Sequence, residues 1–401
     1  MYSGYNQGPP MPGYNGAGVG GYPAVPPPGY APQAYNQPPN PYSAQPYPPA
    51  YNNPPPYNPQ LYPPPAYPQP AYPPPVAPAY GQPPMGQPFL PPVQMNQSID
   101  TDCEILYRAM KGAGTDEAAI INIICSRDSI QRAEIRRRYI ALYGKDLIKR
   151  LKDELSGNFE DTVVGLFMTP PEYDAYCLYK AMKGAGTNEG VLIEIIGTRN
   201  NEEIQMIKAE FEKNYGKPLE KWISSETSGH FKKLLISLLQ ASRSMNTAPD
   251  PIVCQNEAQA LYAAGEGRWG TDESTFIRIF TQRSAAELDL ISRSYQQLRG
   301  NTLHRAVDKE FSGDTKKLLL TILDGLQNPA AYFARRLRDS LEGIGTNDSR
   351  LVRVIVSRCE VDMPLIKQEY RRLFGRDLIY DIRSDTSGDY KKILTHLLTR
   401  V

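Results

Sequence analysis

A fourfold internal repeat fills the chain from about residue 100 to residue 401, and it constrains the fold more than any other feature of the sequence. The motif Gly-x-Gly-Thr occurs at 112–115, 184–187 and 343–346, and Trp-Gly-Thr occurs at 269–271. The second glycines of these motifs lie 72, 84 and 75 residues apart, at Gly114, Gly186, Gly270 and Gly345. Because one unit of this length has a marginal core by itself, we expect the four units to pack together and bury further apolar surface.

The apolar spacing within each unit predicts helices. Apolar residues stand 6, 7, 9 and 10 positions after the second glycine in all four units, as at Ile120, Ile121, Ile123 and Ile124. This spacing places them on one face of a helix and does not fit a strand. In the first unit we predict further helices over 129–143, near 146–155 and near 158–168, with Thr115 as the N-cap of the isoleucine helix. The predicted class is therefore all-α.

Prolines and composition set the predicted segment boundaries. Pro170, Pro171, Pro249, Pro251 and Pro329 separate the units, because proline does not continue a helix. We predict a tail followed by four repeats, over 1–98, 99–170, 171–242, 243–328 and 329–401.

The tail is rich in proline and tyrosine and lacks charge. Residues 1–99 contain no Lys, Arg, Asp or Glu, and they hold 32 of the 39 prolines and 14 of the 27 tyrosines. Proline fixes φ and removes backbone donors, and few aliphatic residues are present to form a core. We therefore expect a disordered segment that samples the polyproline II conformation.

Four Pro-Pro-x-Tyr elements in the tail predict docking to a partner. They end at Tyr30, Tyr51, Tyr57 and Tyr67. Extended proline-rich segments of this kind fit aromatic grooves such as those of WW domains. The alternative for each single element is a chance match within a Pro/Tyr repeat.

Composition also excludes several classes of protein. A formal net charge of +1 and a pI near 7.5 give no global basic field, so we predict no nucleic-acid binding. No apolar run reaches the ~18 residues of a membrane-spanning helix, and the N-terminus lacks the basic start and apolar centre of a secretory signal. Five cysteines without Cys-x-x-Cys spacing fit buried free thiols in a reducing compartment. No recurring nucleophile–His–acid set and no phosphate-loop motif is present, so we predict that the protein is not an enzyme.

The repeated glycines and a repeated acid predict metal sites. An acid stands 40 residues after the second glycine in every unit, at Glu154, Glu226, Glu310 and Asp385. Glycine lets the chain turn tightly and expose carbonyl oxygens, and a carboxylate from a second loop can close on the same point. Such an all-oxygen set suits calcium. Each half alone has another explanation, since the glycine motif can begin a capped helix and the acid can cap a helix beside the Ser-Gly that follows.

The charge and the number of ligands at such a site predict which further ligand completes the calcium coordination shell. One carboxylate and neutral carbonyls leave a bound Ca²⁺ partly uncompensated and short of the six to eight oxygens that it takes. An anionic lipid oxygen, from a phosphoryl or carboxylate group, would complete the shell. Four such sites on one face would act together through avidity. We therefore predict peripheral membrane attachment that calcium switches on.

Other repeated or clustered positions have alternative interpretations. An arginine stands 13 residues after the second glycine in each unit, and we expect it to bond carbonyls or acids between helices rather than a ligand. Trp269, in the third loop, either packs against the protein or settles at the membrane interface. The cluster of Arg136, Arg137 and Arg138 predicts a solvated face, with weak attraction to anionic lipid as the alternative.

The stretch 110–117, Met-Lys-Gly-Ala-Gly-Thr-Asp-Glu, with Glu154 downstream, resembles the annexin repeat, and the likeness spans all four units. The tail resembles those of the long-tailed annexins. The resemblance implies a curved disc of four five-helix repeats with calcium loops on its convex side. It also implies calcium ligands from loop carbonyls and the distant acid. In chain order, these are Met110, Gly112, Gly114 and Glu154; Met182, Gly184, Gly186 and Glu226; Gly265, Arg268, Gly270 and Glu310; and Leu341, Gly343, Gly345 and Asp385.

We therefore predict a cytoplasmic protein that calcium recruits reversibly to anionic, phosphatidylserine-rich membranes. The resemblance implies roles in vesicle traffic, membrane aggregation or repair, and docking of penta-EF-hand proteins to the tail. A second hypothesis is a scaffold whose tail recruits WW or penta-EF-hand partners while the repeats serve only as an anchor. A third is a calcium-permeable channel, an activity attributed to annexins, although the lack of a membrane-spanning segment argues against a conventional pore.

Overall fold

The computed structural model describes residues 98–343 and 345–400, and within that part every regular element is a helix. The predicted all-α class is therefore confirmed. The predicted tail, with its four Pro-Pro-x-Tyr elements, lies outside the described residues except for Ser98, whose hydroxyl accepts a hydrogen bond from the Thr101 N–H at 3.2 Å and caps the first helix.

Five helices make up each of the four repeats. The first repeat contains α1 (Ile99–Ala109), α2 (Glu117–Ser126), α3 (Ser129–Tyr143), α4 (Leu147–Glu154) and α5 (Gly157–Leu166). The second contains α6 (Pro170–Met182), α7 (Glu189–Thr198), α8 (Asn201–Tyr215), α9 (Leu219–Glu226) and α10 (Gly229–Leu238). The third contains α11 (Pro251–Ala264), α12 (Glu273–Gln282), α13 (Ala285–Arg299), α14 (Leu303–Glu310) and α15 (Gly313–Gln327). The fourth contains α16 (Pro329–Leu341), α17 (Asp348–Arg358), α18 (Met363–Phe374), α19 (Leu378–Asp385) and α20 (Gly388–Thr399).

The three helices predicted in the first unit correspond to α3, α4 and α5, with ends that agree to within two residues. Pro170, Pro251 and Pro329 begin the first helices of the next three repeats. A backbone N–H at the first position of a helix has no partner within that helix, so proline loses no hydrogen bond there. The fixed φ of proline also suits the helix. Three of the five prolines that separate the units in the sequence thus begin the following unit in the structure.

The N-cap of α2 is Asp116, so the prediction of Thr115 was wrong by one residue. The Asp116 carboxylate accepts a hydrogen bond from the Ala119 N–H at 3.0 Å. Asn188, Asp272 and Asn347 take the same position before α7, α12 and α17. Asp and Asn are favoured at this position next to the helix. In the last three repeats the threonine one residue earlier donates to the segment of the distant acid instead.

The apolar helix faces bury two separate cores. One core draws its side chains from the first and fourth repeats, and the other draws them from the second and third. Ile120 and Ile124 of α2 are fully buried in the first core, as their spacing predicts. Burying such a side chain contributes about 1.5–3 kcal/mol, so pairing of the repeats supplies the burial that one unit lacks.

The repeated arginines after the glycine motif are structural, as predicted. Arg127 donates from Nε and Nη2 to the two carboxylate oxygens of Asp102, at 2.7 and 2.9 Å, and both side chains are buried. The same contact with an acid of the first helix joins Arg199 to Asp174 and Arg283 to Glu257. In the fourth repeat Arg358 pairs instead with Asp362, the N-cap of α18. Charge-assisted hydrogen bonds to these acids engage all four guanidinium groups within the protein.

The arginine cluster of α3 is engaged in ion pairs. Arg136 lies 2.8 Å from Glu172, and Arg138 lies 2.6 Å from Asp100. Arg137 pairs with Glu134 on its own helix. Acids therefore accompany the three positive charges on this surface.

Candidate calcium and membrane site

A short loop joins the first two helices of each repeat, and one backbone hydrogen bond closes it. The N-cap residue of the second helix donates its N–H to a carbonyl near the end of the first helix, at 2.7–2.9 Å. The four bonds run from Asp116 to Ala109, from Asn188 to Ala181, from Asp272 to Ala264 and from Asn347 to Ser340. The predicted metal-binding glycines lie on these closed loops.

Two glycines in each shorter loop have positive φ. Gly112 and Gly114 have φ of +112° and +90°, and the corresponding glycines of the second and fourth repeats differ from them by only a few degrees. In the third repeat Gly270 has a φ of +78°. These left-handed conformations favour glycine because a Cβ would be strained. The Gly-x-Gly motif is therefore required by the backbone path of the loop.

The residue two positions before the first glycine of each shorter loop anchors that loop in the core. The side chains of Met110, Met182 and Leu341 are 1%, 2% and 7% exposed. Since these side chains are buried, a predicted metal contact at these positions falls to the backbone carbonyl. The change from Met to Leu in the fourth repeat leaves that carbonyl in place.

The distant acid meets the glycine loop in the second and third repeats. Thr187 donates its hydroxyl to Oε2 of Glu226 at 3.2 Å, and Thr271 donates to Oε2 of Glu310 at 2.7 Å. Each threonine directly follows the second glycine of its loop. The structure thus brings together residues 39 positions apart in the sequence.

The third repeat shows how closely its acid approaches the loop. A Cβ built on Gly265 would lie 3.0 Å from Cγ and 3.2 Å from Cδ of Glu310. Those distances are tight, so the carboxylate arm packs against the bare Cα of Gly265. A larger residue would push the acid away from its loop.

The fourth repeat joins the two segments through the backbone. The Thr346 hydroxyl donates to the carbonyl oxygen of Asp385 at 3.3 Å. The Asp385 carboxylate accepts a hydrogen bond from the Ser384 hydroxyl at 2.9 Å. The shorter acid therefore lies beside its loop while its carboxylate is held by the preceding serine.

The first repeat joins the two segments through an arginine. Nη2 of Arg150 donates to the carbonyl oxygen of Met110 at 2.7 Å, and the same nitrogen lies 2.7 Å from Oε1 of Glu154. A predicted loop ligand and the predicted acid of the first repeat are therefore bridged by one guanidinium nitrogen.

The longer loop of the third repeat is braced by Glu266. Its carboxylate accepts hydrogen bonds from the Tyr295 hydroxyl at 2.8 Å, Asn301 at 3.3 Å and Lys309 at 2.9 Å. The hydrogen bond from Lys309 is the largest contribution that holds the pKa of the Glu266 carboxyl below its usual range. Farther along the same loop, Arg268 is exposed and Trp269 is 100% exposed. Of its two predicted placements, packing against the protein is therefore wrong.

Sequence reasoning missed three contributors to these loops. The threonine was visible in every unit but was interpreted as a helix cap. Glu266 had no counterpart in the other units, because only the third loop is long enough to include it. Arg150 occurs four residues before the acid in the first unit alone, so the repeat pattern gave it no weight.

The donors at these loops fit a hard cation. Each predicted set consists of oxygens, with one carboxylate from α4, α9, α14 or α19 and carbonyls from the glycine loop. Among the described residues, no group of three or more His, Cys, Asp or Glu side chains is placed to hold a metal ion. A calcium site here would therefore rely on peptide oxygens. In the described part of the chain, no helix is long and apolar enough to cross a membrane.

Comparison with known proteins identifies the family. A sequence model described as Annexin matches residues 101–166, 173–238, 256–322 and 332–397. The chain is 46% identical over 315 residues to Annexin A11 of Oryctolagus cuniculus, a match that covers 76% of this chain and 63% of that protein. The chain thus matches less than two thirds of that relative's length.

Solved structures show the same likeness. The structure of annexin III is 40% identical, with a TM-score of 0.74, and the match covers 76% of this chain and 94% of that one. Calcium-bound annexin (Sm)1 is 33% identical, with a TM-score of 0.67, and the match covers 75% of this chain and 90% of that one. The chain belongs to the annexins, a family of calcium-dependent phospholipid-binding proteins.

Proposed function

We propose that this chain binds calcium at its four interhelical loops and, through the bound ions, attaches reversibly to phosphatidylserine-rich membranes. The proposed ligands are the backbone carbonyls of the twelve loop residues named from the resemblance and the carboxylates of Glu154, Glu226, Glu310 and Asp385. Recruitment would occur from the cytoplasm when calcium rises, and it would serve vesicle traffic, membrane aggregation or repair.

The observation that carries this proposal is the meeting of loop and acid in every repeat. Three repeats join the two segments through a threonine hydroxyl, and the first joins them through Arg150. An ion bound between a loop and one carboxylate keeps net positive charge and open coordination positions. A phosphate or carboxylate oxygen of a lipid headgroup supplies both the missing ligand and the missing negative charge.

The exposure of Trp269 supports the third loop as a membrane contact. Trp269 projects fully into solvent next to Gly270, a proposed calcium-binding residue. Tryptophan partitions favourably to the membrane interface, where its ring is partly buried and its N–H stays hydrated. We propose that Trp269 inserts among headgroups when the loop binds calcium.

Liposome co-sedimentation tests the proposal. The full chain is mixed with phosphatidylserine/phosphatidylcholine vesicles, with calcium or with a chelator, beside the quadruple variant E154A/E226A/E310A/D385A. A matched control, D153A/E212A/D308A/E369A, removes the same number of acids outside the loops. We expect the wild type and the control to pellet only with calcium, and the loop variant to stay in solution. Equal pelleting of the loop variant and the control would refute the site assignment.

The tail carries a second candidate function as a recruiter of partners. Four Pro-Pro-x-Tyr elements in an uncharged segment are typical of ligands for WW domains, and the likeness to long-tailed annexins favours penta-EF-hand proteins. Deletion of residues 1–97, which keeps the Ser98 cap, separates the two functions. Vesicle binding should survive the deletion while capture of an isolated WW or penta-EF-hand domain disappears. Unchanged capture would exclude the tail as the docking segment.

A further inference from the structure

The first repeat holds a positive charge where the proposed function puts its calcium ion. Nη2 of Arg150 lies 2.7 Å from the Met110 carbonyl oxygen and 2.7 Å from Oε1 of Glu154. Calcium lies roughly 2.3–2.6 Å from its oxygen ligands. A nitrogen this close to both oxygens therefore takes nearly the position that the ion requires.

The other three repeats lack such a cation at the corresponding position, four residues before the acid. In the second repeat this residue is Trp222, whose ring packs edge-on against Tyr179 with centroids 5.4 Å apart. In the third it is the buried Ala306. In the fourth it is Asp381, which accepts a hydrogen bond from the Tyr370 hydroxyl at 2.7 Å. The arrangement around Arg150 is thus particular to the first repeat.

The position of the guanidinium follows from the geometry of α4. Arg150 and Glu154 stand four residues apart, so their side chains lie on the same helix face. The side chains of Arg150 and Glu154 are 29% and 21% exposed. The Met110 side chain is buried, and this anchor holds the Met110 carbonyl beside them.

We propose that Arg150 competes with calcium for the Met110 carbonyl and the Glu154 carboxylate. Two cations do not share these oxygens, so calcium must displace the guanidinium and break both its hydrogen bond to the Met110 carbonyl and its ion pair with Glu154. The first repeat then fills at a higher calcium concentration than it would with a neutral residue at position 150. This inference rests on the proposed function, since it requires calcium to bind at Glu154.

Calcium binding to a chain with only its first site intact tests the competition. The full-length background E226Q/E310Q/D385N keeps the Glu154 site, and equilibrium dialysis without lipid measures its calcium affinity. R150M removes the charge and keeps a long apolar stem, and R150A removes the side chain beyond Cβ. K149A removes one positive charge from the exposed neighbouring residue of α4 and controls for long-range electrostatics.

We expect R150M and R150A to bind calcium about tenfold more tightly than the background, because a partly exposed ion pair and the repulsion by the displaced charge are both removed. K149A should change the affinity by less than about twofold, because its charge is exposed and screened. In chelator, both Arg150 variants should unfold at a lower temperature than the background. Weaker stability with tighter calcium binding is a combination that loss of a merely structural arginine would not produce.

Two results would overturn the inference in distinguishable ways. If the background and both Arg150 variants bind no calcium while the chain with all four acids does, the Glu154 site and the competition both fail. If the background binds calcium and the Arg150 variants match K149A, the proposed function stands and the competition is wrong.

Discussion

Arg353 of α17 and Glu194 of α7 join the fourth repeat to the second through two parallel hydrogen bonds. Nε and Nη2 of Arg353 donate to Oε1 and Oε2 of Glu194 at 2.7 and 3.1 Å, and the two residues are 159 positions apart in the sequence. Arg353 is 6% exposed and Glu194 is 2% exposed. This buried pair connects the half of the protein built from repeats one and four to the half built from repeats two and three.

Breaking this pair from one side should be costly. In R353M the Glu194 carboxylate stays buried without its main partner, and we expect the free energy of unfolding to fall by about 3–5 kcal/mol. The double variant R353M/E194L should lose less than R353M, because neither buried charge remains. Urea denaturation of the wild type and both variants measures the effect. A loss below about 1 kcal/mol in R353M would show that water or Arg336, 3.9 Å from Glu194, replaces the lost partner.

The same pair should contribute to acid sensitivity. Burial by itself would raise the pKa of the Glu194 carboxyl, but the charge and hydrogen bonds of Arg353 outweigh burial and hold the pKa below its ordinary value of 4.5. A lowered folded-state pKa gives stability that is fully present above the unfolded-state pKa and is lost as pH falls through the folded-state value. Between pH 7 and acid below about pH 4, R353M/E194L should therefore lose less stability than the wild type. Parallel pH profiles of the two proteins would contradict this expectation.

The cysteine thiols should resist modification in the folded protein. Burial raises the pKa of Cys125 and of Cys359 to about 12, and it raises that of Cys103 to about 11. Since the thiolate is the reactive form, these groups should react with an aromatic disulfide reagent at pH 8 only after unfolding. Burial raises the pKa of Cys177 to about 12 as well. This residue is half-buried while the other four cysteines are buried, so a slow native reaction should occur there first and disappear in C177A. Rapid release of several equivalents from the native chain would contradict the prediction.

The elements that the sequence predicted well are those specified by local spacing. Ile120 and Ile124 define a helix face by their separation alone, and α2 buries that face. Glu226 and Glu310 were associated with their loops because the same register recurs in four units. In each case repetition of a simple pattern carried information about a distant contact.

Contacts that join different units, or that occur in one unit alone, could not be predicted from the repeat pattern. Glu194 and Arg353 belong to helices whose pairing requires the arrangement of the repeats, and no single unit encodes it. The contact between Arg150 and Met110 has no counterpart in the other three repeats, so the fourfold pattern gave no signal for it. Thr115 and Asp116 are both good caps, and the choice between them depends on which one the closed loop places next to the helix.

Replacement of a loop glycine that has a positive φ should weaken calcium-dependent binding even where a side chain has room. Gly186 has a φ of +88° and open space around a built Cβ, so G186A would introduce backbone strain without a clash. We expect a loss of about 1 kcal/mol in the free energy of unfolding and a higher calcium concentration for half-maximal vesicle binding. The control G190A lies in α7, where φ is not positive, and it should leave that calcium concentration unchanged. Equal calcium requirements for G186A and the wild type would show that the loop tolerates the strain.

Trp269 should report membrane attachment directly. It is fully exposed, so W269A should change the free energy of unfolding by no more than about 0.5 kcal/mol. The chain has two tryptophans, and Trp222 packs against Tyr179 and Phe211 with an indole N–H that has no hydrogen-bond partner among the described residues. W222F therefore removes no hydrogen bond and leaves Trp269 as the single reporter.

In W222F, the fluorescence of Trp269 should shift to shorter wavelength when phosphatidylserine vesicles and calcium are both present, because the ring moves from water into the headgroup region. A chelator should reverse the shift, and neutral phosphatidylcholine vesicles should not produce it. W269A should need more lipid for half-maximal binding, since one interfacial anchor is lost, while E310Q should abolish the shift by removing the acid of that loop. An emission spectrum that stays at its aqueous position while the protein sediments with vesicles would mean that the third loop does not touch the membrane, and attachment would then fall to the other three loops.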